Sequence, residues 1–181
     1  MLWRRALFLS SVVRYAPPSH RTALIKRSAS ILIVGDGDLS YGRNFVERGE
    51  DKVTVSVLET CEKHRAVYRQ SEDHTAAIDS SKGGKVMFGV DATALKDSFE
   101  PGTTYSKILW NFPHWPGKTN IRRNRELLSA FFTSARDFIA DDGEVKVALV
   151  EGQGGMDSES MRDWKASWKA GVYAAESDLL L

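Results

Sequence analysis

Cysteine is nearly absent: Cys61 is the only one in 181 residues, so no internal disulfide can form. Its neighbour His64 finds no second Cys/His pair to complete a zinc site, which leaves a free thiol and no expected metal. Long apolar runs are missing too. No uninterrupted hydrophobic stretch is long enough to span a bilayer, and 42% hydrophobic with 27% charged residues is ordinary soluble composition, so no membrane partner is expected. Internal repeats are lacking, and the length suits one domain, expected as a monomer. The first thirty residues lack acid altogether while holding Arg4, Arg5, Arg14, Arg21, Lys26 and Arg27. With those six cations set aside from a formal net charge of +1, the remaining chain is net acidic. The leader is also rich in serine, and Arg14 with Pro17-Pro18 leaves no clean secretory cleavage region. Residues 1–30 therefore read as a disordered basic leader outside the fold, a transit peptide for mitochondrion or plastid. The alternative is a basic tail on a cytoplasmic or nucleolar protein.

From Ile31 the pattern changes. Ile31 to Val34 is a continuous apolar run stopped by Gly35, the mark of a strand buried on both faces. Ser40 to Arg48 reads as a short helix ended by Gly49. Val53 to Leu58 is a β-branched strand, Glu62 to Gln70 a helix, and Lys85 to Val90 a third strand. Tyr105 to Trp110 is a fourth strand, running into a loop of turn formers at Asn111 to Gly117. Leu127, Leu128, Phe131, Phe132, Ala135, Phe138 and Ile139 recur at helical spacing, and Asp141-Asp142-Gly143 closes that helix. Val145 to Val150 is a fifth strand, followed by a helix over Ser158 to Lys169 with Trp164 and Trp168 on one face. Strands alternating with helices predict a three-layer α/β/α domain over residues 31–181, with a mostly parallel central sheet. After Gly171 at most one further strand fits, so the C-terminal strands of such a sheet are expected to be incomplete, with an exposed edge.

In an open parallel sheet, ligands sit beyond the carboxyl ends of the strands. Gly35, Asp36, Gly37, Asp38, Leu39 and Ser40 follow the first strand, where glycine permits a tight turn and close approach to a ligand. Asp36 and Asp38 oppose a pyrophosphate but suit a cationic sulfonium, so the polarity of the turn favours a methyl donor, S-adenosylmethionine. The dinucleotide fingerprint requires glycine where Ser40 stands, which weakens a nicotinamide-dependent oxidoreductase. Glu59, 22 residues after Gly37, is placed to accept from ribose hydroxyls. Asp91 can accept from an adenine amino group while Ala92 packs on the ring.

Asn111, Phe112, Pro113 and His114 resemble the Asn/Asp-Pro-Pro-aromatic loop with which amino-methyltransferases hold a planar nitrogen, although Phe112 departs from it. Phe112, His114 or Trp115 offers a face on which a base could stack. Lys118, Arg122, Arg123 and Arg125, four cations within eight positions, stand next to that loop in an otherwise acidic domain and suit phosphate contact. The runs ILIVGDGDLSYG, WNFPHWPGKTNIRRNRELL and GEVKVALVEGQGG together resemble the ribosomal RNA uridine-N3 methyltransferase-like domain over roughly residues 31–165. Related domains also occur fused to a ferredoxin-fold anticodon-binding domain. The resemblance implies a Rossmann-like class I methyltransferase fold, S-adenosylmethionine as donor, and N3 of a uridine in large-subunit ribosomal RNA, free or in a pre-ribosomal particle, as acceptor. It implies Gly35 to Asp38 as the first cofactor loop, Glu59 and Asp91 as ribose and adenine contacts, and Asn111 to His114 as the target-base loop. Gln153, Gly154 and Gly155 would shape the pocket, and His114 or Asp36 would accept the N3 proton. A catalytically silent RNA-binding or assembly protein on the same fold is the remaining alternative.

Overall fold

The computed structural model describes residues 10–14, 30–50, 52–118, 120–156 and 158–179. The elements run β1 (Ser10–Arg14), β2 (Ile31–Val34), α1 (Ser40–Glu47), β3 (Val53–Val57), α2 (Cys61–Val67), α3 (Ser71–Asp79) and β4 (Gly84–Phe88). A 3-10 turn (Leu95–Asp97) leads to β5 (Tyr105–Asn111), α4 (Ile121–Arg136), β6 (Ile139–Ala148), α5 (Met161–Ala166) and α6 (Ala170–Glu176). The sheet order is β1-β6-β5-β2-β3-β4, parallel throughout except for β1.

The apolar run of β2 is central for the reason its sequence predicts: all four residues are at most 1% exposed. Alternation sends them to opposite layers. Ile31 and Ile33 join Val53, Val55, Leu109, Val46 and Ile78 on one face. Leu32 and Val34 join Ile108, Trp110, Val145, Leu128, Phe131 and Phe132 on the other, under α4. From β2 the chain winds one way to β3 and β4, and later the other way to β5 and β6. The crevice where that direction switches lies between the loops leaving β2 and β5.

Several boundaries differ from the sequence pattern. Helix α4 starts at Ile121, ahead of the apolar stripe that marked it, and ends at Arg136, so Arg122, Arg123 and Arg125 lie on its first turns. Phe138 and Ile139 continue the apolar period but leave the helix, and Ile139 opens β6. Asp141, Asp142 and Gly143 fall within β6, where the register with β5 shifts. Helix α3 follows α2 where no helix was read, because its inward face is Ser71, His74 and Ile78 rather than an apolar stripe. Of the predicted helix over Ser158 to Lys169 only Met161–Ala166 is helical, as α5, and Trp168 lies in the break before α6, apart from Trp164. Among the described residues no strand follows β6.

The leader is not wholly outside the fold. Ser10–Arg14 pairs antiparallel with β6, from Ser10 opposite Ala148 to Arg14 opposite Glu144, covering the edge expected to be bare. Apart from Ser30, the rest of the leader lies outside the described residues.

Candidate cofactor and target-base cleft

A cleft of about 400 Å³ opens at the switch point, within the roughly 300–1,000 Å³ typical of small-molecule sites. Gly35 from the loop after β2, Leu58 after β3, and Val90, Asp91 and Ala92 after β4 form one side. His114, Trp115 and Pro116 from the loop after β5 close it, and Glu126, Leu127 and Ala130 of α4 supply a wall. The loops predicted to hold donor and acceptor thus share one cavity.

Gly35 is required here twice over. Its backbone is left-handed (φ +61°), and a Cβ would stand 2.7 Å from the Trp110 Nε1. Asp91 accepts through one carboxylate oxygen from the Thr93 N–H (2.8 Å) and hydroxyl (2.7 Å), which fixes it at the cleft margin. Buried Ala92 lies beside it, as an adenine-packing residue requires. The apolar wall of Leu58, Val90 and Ala92 with the Asp91 acceptor fits an adenine ring, and the side-chain-free approach at Gly35 fits the rest of the same nucleoside.

The other cofactor candidates stand back from that cavity. Asp36 turns its carboxylate inward to accept the Gly42 N–H of α1 at 2.7 Å. Burial pushes its pKa up to about 7; the Gly42 bond opposes the rise, the charge of Asp38 adds to it, and His74 opposes it. Asp38 is held below the usual carboxylate range: partial burial works against this, but bonds from the Ser40 side chain and N–H and the proximity of His74 outweigh it. The Ser40 N–H donates to Asp38 at 3.0 Å. The steady negative charge of this loop at neutral pH is therefore Asp38, while Asp36 is near its midpoint. Glu59 stands two residues past β3, half-buried, and its carbonyl accepts the Gly89 N–H at 2.9 Å. Leu58, not Glu59, walls the cavity.

The target-base loop begins at Asn111, the last residue of β5. The Phe112 N–H donates to the Ala148 carbonyl at 2.9 Å, with Phe112 left-handed at φ +51°, a conformation that costs a non-glycine residue about 1 kcal/mol or more. Pro113 is buried beneath, while Phe112 is 49% and Trp115 36% exposed. Buried Asn124 fixes the loop by accepting the Trp115 N–H at 2.7 Å.

The four cations divide. Lys118 is exposed, Arg122 pairs with Glu126 at 2.9 Å, and the Arg123 guanidinium lies 4.8 Å from the centre of the Trp115 ring. Arg125 departs from the phosphate role: its guanidinium donates to the carbonyls of Lys165 (2.6 Å) and Ser167 (2.5 and 3.0 Å), pinning α4 to the C-terminal end of α5. Gln153, Gly154 and Gly155 pack into the same knot, not the cleft. The Gln153 and Gly154 carbonyls accept from the Trp168 and Ala170 N–H groups, and Gly155 lies against the Ser167 side chain. Among the described residues no group of three or more His, Cys, Asp or Glu side chains is placed to hold a metal ion, and no helix is long and apolar enough to cross a membrane. Cys61 is a free, half-buried thiol.

Residues the sequence reading missed are Leu58, Trp110, Glu126, Leu127 and Ala130. Leu127 belongs to the apolar stripe that marked α4, Glu126 and Ala130 flank that stripe, and Trp110 ends the strand that the sequence pattern places before the loop.

A β-sheet in this doubly wound order, with its cleft at the switch point, defines a Rossmann-like fold of the class I methyltransferase type. The structure resembles TrmN from Thermus thermophilus at 17% identity and a TM-score of 0.50, over 66% of this chain and 32% of that one. A sequence model described as rRNA (uridine-N3-)-methyltransferase BTM5-like matches residues 32–181, and the chain belongs to that family. It is 36% identical over 158 residues to the ferredoxin-fold anticodon-binding domain-containing protein 1 homolog of Mus musculus and 34% identical over 155 to the corresponding protein of Homo sapiens. It covers 83% of its own length in each match but only 25% and 24% of theirs.

Proposed function

We infer that this domain is an S-adenosylmethionine-dependent RNA methyltransferase whose acceptor is N3 of a uridine in large-subunit ribosomal RNA. The observation that carries the reading is the shared cleft: Gly35, Asp91 and Ala92 line the cavity that His114 and Trp115 close. S-adenosylmethionine, when bound, supplies a methyl group on a positively charged sulfur. Leu58, Val90 and Ala92 pack its base, Asp91 accepts from the base's amino group, and Asp38 contributes the negative potential of the first loop.

On the acceptor side, exposed Trp115 and Phe112 offer stacking faces to an unpaired base, and Arg123 and Lys118 suit the phosphates flanking it. Uridine N3 carries a proton that must leave as the methyl arrives. His114, exposed and at the cleft, is better placed to take it than Asp36, whose carboxylate faces α1. Among the rival readings, a silent RNA-binding protein would keep the cations and stacking faces without transferring a methyl group. The family match supports the uridine acceptor, and the composition of the leader supports an organellar address.

The test is transfer of labelled methyl from S-adenosylmethionine to a large-subunit ribosomal RNA transcript, followed by digestion to nucleosides. The expected product is 3-methyluridine, reduced at least about tenfold in His114→Ala. Label in another nucleoside, or RNA binding without label, would overturn the assignment.

A further inference from the structure

We propose that His64 of α2 and His74 of α3 are positioning residues that hold the first cofactor loop in its ligand-accepting shape. This rests on the reading of residues 35–40 as part of the donor site. The loop turns through left-handed backbone at Gly35 (φ +61°), Gly37 (φ +60°) and Leu39 (φ +69°), so it has no regular ladder to absorb its carbonyls.

Two imidazoles take that role. His64 Nε2 lies 2.5 Å from the Gly37 carbonyl oxygen, and His74 Nδ1 lies 2.7 Å from that of Asp38. A carbonyl only accepts, so each of these ring nitrogens carries a proton and donates it. The other nitrogen of His64 bonds the Ser71 hydroxyl at 2.6 Å, so the ring cannot rotate without losing both bonds. Ser71 is the first residue of α3, and one bond chain runs from α3 through α2 to the loop.

Burial makes these bonds decisive. His64 is 0% and His74 7% exposed, and the His64 ring packs between Tyr68 (centroids 4.7 Å apart) and Phe88 (5.4 Å). An apolar side chain would fill such space without the cost of desolvating a polar ring, so what the histidines add is the bonds they give the loop. Neither lines the cleft; both act on it through Gly37 and Asp38.

The test titrates S-adenosylhomocysteine into the full chain and its His74→Leu and His74→Asn variants, with amide hydrogen exchange followed over residues 36–42. Leucine gives no donor, whereas the asparagine Nδ2 stands close to the position of the lost Nδ1. His74→Leu should weaken binding about tenfold and speed exchange of the loop while β2 and β5 stay protected, and His74→Asn should restore both. Wild-type affinity and protection in the leucine variant, or an asparagine variant equally impaired, would overturn the clamp. If the leucine variant does not fold, Ser71→Ala replaces it: a weakened affinity and faster loop exchange support the clamp, and no change in either overturns it. Failure of the wild type to bind S-adenosylhomocysteine would sink the donor-site reading, and the exchange comparison would then decide the clamp alone.

Discussion

The two sides of the cleft are built differently. On the donor side, Asp36 is tied to α1 and the Gly37 and Asp38 carbonyls to His64 and His74 by part-buried bonds, and Asp38 is tied to Ser40 at the surface. On the acceptor side, residues 112–118 are held to β6 by the Phe112 N–H and to α4 by Asn124, and present exposed rings to solvent. A small donor of fixed shape rewards a rigid cradle, because geometry set in advance need not be ordered on binding. A base presented by a large RNA rewards an open rim with stacking faces.

This contrast breaks most readily at glycine. A Cβ on Gly42 would lie 2.7 Å from Val55 Cγ1 and 2.9 Å from Asp36 Oδ2, so Gly42→Ala should cost about 3 kcal/mol in urea unfolding. Gly117, on the rim, has nothing within 4 Å, and Gly117→Ala should cost only the strain of its left-handed backbone (φ +94°), about 1 kcal/mol. Equal losses would erase the distinction between cradle and rim.

The next largest effect separates Arg125 from its neighbours. Arg125→Ala should lower stability by about 2 kcal/mol, since its guanidinium satisfies two carbonyls, and leave the salt dependence of RNA binding unchanged. Arg123→Ala should do the reverse: stability within about 0.5 kcal/mol of wild type, with the salt slope reduced by about 1. A flattened slope in Arg125→Ala would restore that residue to the phosphate surface.

Asp36 sharpens the donor side. Its pKa rises from 3.8 to about 7 on folding, so between those values the folded chain keeps a proton that the unfolded chain has lost. That contribution is complete below pH 3.8, is lost as pH rises to about 7, and is flat above. Asp36→Asn removes this dependence and should gain on the order of 2 kcal/mol on wild type between pH 5 and pH 8. Parallel stability profiles would place Asp36 in solvent.

What the sequence made legible was local. A four-residue apolar strand closed by Gly35, and the stripe of α4, report their own burial through spacing. Long-range partners do not. Trp110 and Leu58 read as strand residues until the sheet brings them to one cavity, and Arg125 reads as one cation of four until α5 arrives beside it. Helix α3 escaped because two of its three buried residues, Ser71 and His74, are polar and leave Ile78 alone in place of an apolar stripe, and β1 escaped because six cations dominate the composition around a strand-forming pentapeptide. Phe138 and Ile139 misled in the opposite direction, carrying a helical period across the end of the helix.

The most direct measurement is isothermal titration of the chain with S-adenosylhomocysteine, with NADH as control and Gly35→Ala as the site variant. Saturable binding of S-adenosylhomocysteine alone, abolished in Gly35→Ala, is the predicted result. No binding, or undiminished affinity in the variant, would contradict a donor site at the switch-point cleft.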